Sequence, residues 1–179
     1  MKKIIAILLF LLMPNIALAL EPIQAATLKS AFSIGQSIGY PEIIQGIVYQ
    51  ETHCGLFKNR KNLHHDDPNI YNRYFGVMQI KIGAFKDVNR YFKLGIDLTP
   101  HEVEYHLQND DRFNITIATL YIKYLMDYFD GDVDKTILAY NIGMSVVRKH
   151  GLKYDPYDYV NKVKKWIQRD IARFNNVNN

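Results

Sequence analysis

Glu51 stands out in the segment "VYQETHCG" (residues 48–55), where its neighbours are mostly apolar or small. It follows Ile44 by seven residues and Ile47 by four. On a helix that spacing places its carboxyl on the same side as Ile44, Ile47 and Val48. A carboxylate buried without a partner is costly, so such a group keeps its proton or finds a hydrogen bond. A carboxyl protonated near neutral pH is what a general acid requires. Helix geometry leaves a second reading equally open, in which Glu51 sits at the edge of the stripe and reaches solvent.

Two later segments carry further polar chemistry. "GVMQI" (76–80) sets a small, a soft and an amide side chain in one tight stretch. There Gln79 can donate and accept hydrogen bonds, and Met78 can pack against a flat ligand face. "AYNIG" (139–143) puts Tyr140 and Asn141 at the end of a short helix, before a terminating glycine. Taken singly, these are a buried connector and an ordinary helix C-terminus. Cys54, the single cysteine, excludes an internal disulfide and reads as a packed thiol. The one histidine beside it, His53, is the next residue and points about 100° away around a helix. "HHDD" (64–67) lacks the ligand spacing of a metal site and reads as a solvated loop.

In this order along the chain, the three segments resemble the soluble-type lytic transglycosylases, over roughly Pro41 to Trp166. The resemblance implies a lysozyme-like fold and an enzyme that cuts peptidoglycan glycan strands with no metal or cofactor. By the same resemblance, Glu51 is the catalytic acid, and Thr52 stands where the family usually has serine. Met78, Gln79, Tyr140, Asn141 and, from the late "YVNKV", Tyr159 are then substrate-binding. The chain departs from the family in "YNRYF", which lacks the usual Gly-Ala pair, and in "KIGAF", which replaces a Pro-x-Thr. Both changes fall in loops expected to line the groove, so they bear on substrate detail.

The chemistry implied by the resemblance needs one carboxyl. Glu51 protonates the oxygen between N-acetylmuramic acid and N-acetylglucosamine, then deprotonates the muramoyl C6 hydroxyl as a 1,6-anhydro ring closes. Two other functions remain open. A goose-type muramidase would use water and recruit Asp66 or Asp67. A non-catalytic peptidoglycan-binding module of an envelope assembly would have no use for a buried acid at position 51. Small transglycosylases of this layout accompany conjugation, pilus or secretion machines, so such an apparatus is the expected partner.

The elements that must position these residues are helical. Residues 1–19 read as a signal peptide: Lys2 and Lys3, an apolar run from Ile4 to Met13, then Ala17-Leu18-Ala19 as a cleavage site. The run is too short to span a bilayer comfortably, so an exported, periplasmic protein without stable membrane insertion is expected. Loss of the two lysines leaves 20 basic against 18 acidic residues, a net of +2 from the whole-chain +4. That balance, with no basic stripe, argues against nucleic acid. Residues 20–174 are expected to form one mainly α domain, a monomer, with a frayed polar tail at 175–179.

Periodicity predicts helices over 25–38 and from Pro41, the latter closed by Gly55. It also predicts helices over 82–92 and from the capping box Thr99/Glu102. Three-four spacing of Phe113, Ile117, Tyr121, Tyr124 and Tyr128 predicts a long helix. A short helix after the cap Asp132 and a last one opened by Asp155-Pro156 follow. The segment near 76–82 is expected to be non-helical.

Overall fold

The computed structural model describes residues 20–58 and 67–178. The signal-like segment 1–19 and His64, His65 and Asp66 of "HHDD" lie outside the described residues. The fold is mainly helical, as expected. Among the described residues the only strand-like pairing is one antiparallel bridge, Phe75 to Ile80.

Proline starts the first two helices, α1 (Pro22–Gln36) and α2 (Pro41–Thr52), where the absent N–H would have lacked a helical partner anyway. α1 begins three residues earlier than periodicity suggests, because Glu21 and Gln24 form a capping box. α2 buries eight of its twelve residues, so it is a central helix rather than an amphipathic surface one. Its end differs from the expectation: the left-handed terminator is His53 (φ 49°), followed by Cys54 (φ 56°), and Gly55 comes third.

Three further helices follow, the last two of them capped by side chains. They are α3 (Ile82–Tyr91), α4 (Pro100–Asn109) with the Thr99/Glu102 box, and α5 (Asp111–Tyr128), whose Asp110 accepts from Phe113 N–H. α6 (Val133–Ile142) starts at Asp132 and ends at Gly143 (φ 91°), which also opens a short α7 (Met144–His150) not anticipated from the sequence. α8 (Tyr159–Trp166) starts later than Asp155-Pro156 suggested. The Asp155 carboxylate caps it from outside, accepting from the N–H groups of Tyr159 (2.9 Å) and Val160 (3.1 Å). A π-helical turn (Ile167–Ile171) joins it to α9 (Ala172–Asn178). The residues read as a frayed tail therefore continue a helix to Asn178, and Asn175 exchanges hydrogen bonds with buried Gln45 of α2.

α2 packs on α1, α8 and the π-turn, while α5 packs on α1, α3, α4 and α6. Between these two groups sits the turn Phe75–Ile80. Its ends pair through Phe75 N–H to Ile80 O and Ile80 N–H to Phe75 O, both 3.1 Å. Gly76 has φ +68°, and a Cβ there would lie 2.3 Å from Leu107 O and 2.4 Å from Asn114 Nδ2. No side chain fits that gap without moving backbone, so glycine is obligatory. Gly76→Ala is expected to cost about 2 kcal/mol or more, from overpacking plus positive-φ strain, read as a lowered urea midpoint.

Candidate active site

Glu51 lies in the last turn of α2, and its Oε1 accepts a short hydrogen bond from the hydroxyl of Tyr159, the first residue of α8. Glu51 is half-buried, yet enough protein surrounds its carboxyl that desolvation pushes it up to about 7. The Tyr159 bond favours the ionised form and pulls the other way. Burial, and then the charge of Glu51, hold the phenols of Tyr159 and Tyr140 well above their usual range. Both tyrosines therefore stay protonated. Tyr140 donates to Met78 O at 2.7 Å.

The turn 75–80 is fastened beside this acid by side chains. Thr52 Oγ1 donates to Val77 O (2.7 Å) and accepts from Gly55 N–H (3.0 Å). Gln79, half-buried at φ +49°, donates from Nε2 to Gly76 O (2.8 Å). Asn114 of α5 donates from Nδ2 to Phe75 O (2.9 Å) and Leu107 O (3.0 Å), while its Oδ1 accepts from Met78 N–H (2.8 Å). Asn114 was missed by motif reading. Its only signal was an amide three residues before Ile117 and seven before Tyr121, on the stripe of a helix whose other positions there are apolar or aromatic.

Three residues expected to bind substrate are buried. Thr52 is 1% exposed and Met78 is fully buried, so each supports the turn from behind. Tyr159, 3% exposed, holds Glu51. Gln79, Tyr140 and Asn141 keep partial exposure. The Oδ1 of Asn141 is shielded and takes no hydrogen bond from the described protein, a costly state unless a ligand or water supplies the donor.

The flanking groups have other work. Cys54 is fully buried, and desolvation raises its thiol far above the usual range, so it stays protonated. Asp67 is tied into its own loop, accepting from Asn69 N–H (2.8 Å) and Asn72 Nδ2 (3.2 Å).

Fold and site together define a mainly helical domain of lysozyme-like type, with Glu51 held half-buried against Tyr159. Residues 41–163 match the Transglycosylase SLT domain, and the chain belongs to that family. Its members are enzymes that act on the glycosidic bonds of peptidoglycan. No curated protein and no solved structure matches the chain. The matched span opens with α2 and closes within α8, so it takes in both partners of the Glu51–Tyr159 bond and leaves α1 outside.

The raised pKa has a stability consequence. A carboxyl moved from 4.5 to about 7 on folding makes the folded state the better proton binder. Its contribution is whole below about pH 4.5 and is lost as pH rises through 7. Glu51→Gln, which cannot ionise, is expected to match the parent at pH 4 and to be about 3 kcal/mol more stable at pH 8. Parallel urea melts at the two pH values check this, and an equal offset at both would contradict it.

Proposed function

We propose that the chain is an exported lytic transglycosylase that cleaves the β-1,4 bond between N-acetylmuramic acid and N-acetylglucosamine and leaves a 1,6-anhydromuramoyl end. The carrying observation is the single carboxyl of Glu51, set near 7 by burial. Among the described residues, no second carboxylate contributes to that shift. Glycosidases that use water, directly or through a glycosyl-enzyme, employ a second carboxyl about 5–10 Å away. An intramolecular hydroxyl makes it unnecessary, since proximity supplies the nucleophile.

Protonated Glu51 gives its proton to the glycosidic oxygen as the C1–O bond breaks. The carboxylate then takes the proton of the muramoyl C6 hydroxyl as O6 bonds to C1. Glu51 ends protonated again and no water is consumed. Tyr159, donating to Oε1, leaves Oε2 to carry the transferable proton. Tyr140, Gln79 and Asn141, the motif residues that keep exposed surface, hold the sugar. Thr52 and Met78 keep the turn beneath them in place. The 1–19 leader is read as a cleaved export signal delivering a single, monomeric domain to the periplasm. There it opens the wall locally for an envelope-spanning conjugation, pilus or secretion machine. This last point rests on the layout of the chain alone.

Mass analysis of muropeptides released from purified sacculi tests the reading. Anhydromuramoyl products are expected from the parent, with release by Glu51→Gln reduced about 1,000-fold. Reducing ends without anhydro product would point to a muramidase, and an undiminished Glu51→Gln to a binding module. The pH profile gives an independent check. Because the acid form is required, kcat/KM is expected to fall about tenfold per pH unit above 7. Tyr159→Phe removes a bond that stabilises the carboxylate, so its falling limb should lie at higher pH than the parent's.

A further inference from the structure

Tyr159 holds Glu51 from the part of a helix that is hardest to keep still. It is the first residue of α8, and first turns fray because their N–H groups lack helical partners. A phenol placed there keeps its bond to Glu51 Oε1 only while that turn is pinned.

The residue at the usual capping place does not pin it. Asp158 directly precedes Tyr159, but its backbone is left-handed (φ 52°, ψ 36°) and its side chain makes no cap. Its Oδ1 accepts from Asn161 Nδ2 at 2.6 Å instead. The cap comes from four residues before Tyr159. Asp155 commits both carboxylate oxygens to it, Oδ1 to Tyr159 N–H (2.9 Å) and Oδ2 to Val160 N–H (3.1 Å). Asp158 N–H returns to Asp155 O at 3.3 Å, which closes the loop 155–158 on itself. Pro156 restricts the backbone of Asp155 to extended conformations. A carboxylate on two open N–H groups at a helix start also has the favourable sign for the helix dipole.

Asp155 can reach Glu51 only by way of Tyr159. Among the described residues, Tyr159 is the one side chain that shifts the Glu51 carboxyl, and burial does the rest. The neighbouring charges are engaged elsewhere. Lys164 of α8 pairs with Asp134 of α6 (2.6 Å), and Arg169 pairs with Asp170 inside the π-helical turn (2.8 Å). Tyr140 of α6 feels the charge of Glu51 and keeps its proton. Among the described residues, no charged group of α1 shifts the carboxyl.

We propose that Asp155 is a positioning residue for Glu51: by holding the first turn of α8, it keeps the Tyr159 hydroxyl on Oε1 and leaves Oε2 free. The hydrogen bonds are independent of any substrate, while their part in catalysis rests on the function proposed above.

The test is the titration of the Glu51 carboxyl, followed by carbon-13 NMR in the substrate-free protein. Tyr159→Phe sets the scale, since losing a hydrogen bond to a charged group should raise the midpoint by about one pH unit. Asp155→Ala should raise it by most of that amount. The double variant Asp155→Ala/Tyr159→Phe should rise no further than Tyr159→Phe alone, because both changes remove the same bond. Asp155→Asn keeps one acceptor for the two N–H groups, so its midpoint should fall between those of the parent and Asp155→Ala. Asp158→Asn removes the same charge from the same loop without touching the cap and should leave the midpoint in place.

A cap that serves the helix alone would lower the urea midpoint of Asp155→Ala and leave Glu51 titrating as in the parent. That result overturns the proposal, as does a double variant whose rise is the sum of the two, or an equal rise in Asp158→Asn. Should Asp155→Ala not fold, Asp155→Asn carries the test, and an unmoved midpoint overturns the proposal. The functional reading fails separately. An Asp155 effect on Glu51 in a protein that releases no anhydro product keeps the positioning and removes the catalysis. Anhydro product from a protein whose Glu51 ignores Asp155 does the reverse.

Discussion

A turn buried away from water cannot leave its peptide groups unpaired, and in the turn Phe75–Ile80 backbone pairing reaches only the two ends and Gly76 O, leaving the groups between without it. Side chains do it instead: Asn114 from α5 for Phe75 O and Met78 N–H, Thr52 from α2 for Val77 O, Tyr140 from α6 for Met78 O, and Gln79 for Gly76 O. Thr52 comes from the helix that carries Glu51, and Tyr140 lies close enough to feel its charge. The turn is thereby the joint through which α2, α5 and α6 hold one another. Removing Asn114, Thr52 or Tyr140 leaves a buried amide or carbonyl open, which costs more than the bond itself contributed.

The same arrangement explains why some motif residues are hidden. Thr52 keeps a hydroxyl because Val77 O and Gly55 N–H both depend on it. Met78 matters here through its main-chain groups, each of which is paired, and its side chain is core. Tyr159 is a buried donor whose service is to Glu51. The surroundings of Glu51 and the fold are thus carried by one hydrogen-bond set, and of the expected site residues Glu51, Gln79, Tyr140 and Asn141 retain a face toward solvent.

Tyr159 reaches Glu51 because the C-terminal segment is clamped along α2. Gly46 leaves room for Ile167, whose Cγ1 would lie 2.6 Å from a Cβ at that position. Trp166 Nε1 donates to Gln50 Oε1 at 2.8 Å, and its ring packs on Tyr49 at 4.7 Å. Gln45, fully buried, joins Leu28 O of α1 to Asn175 of α9. These contacts set α8 beside the end of α2, where burial raises the glutamate and the phenol restrains it. A carboxyl held in this way is destabilising once ionised.

Much of this was legible in the sequence. Apolar spacing and caps placed α2, α5 and α6 and the boxes at Thr99 and Asp132, because those signals are local and act within a turn or two of chain. Ordered motifs pointed to Glu51 and to the Transglycosylase SLT domain. What local signals could not convey was which polar residues face a peptide group far away in the chain. Asn114 and Phe75 are 39 residues apart, and Tyr159 and Glu51 are 108 apart. The sequence by itself determined most of the helices, the place of Glu51 on α2 and the family. Only the tertiary structure decided that Thr52, Met78 and Tyr159 work from inside. Burial and hydrogen-bond pairing are properties of elements brought together, and no spacing along one element encodes them.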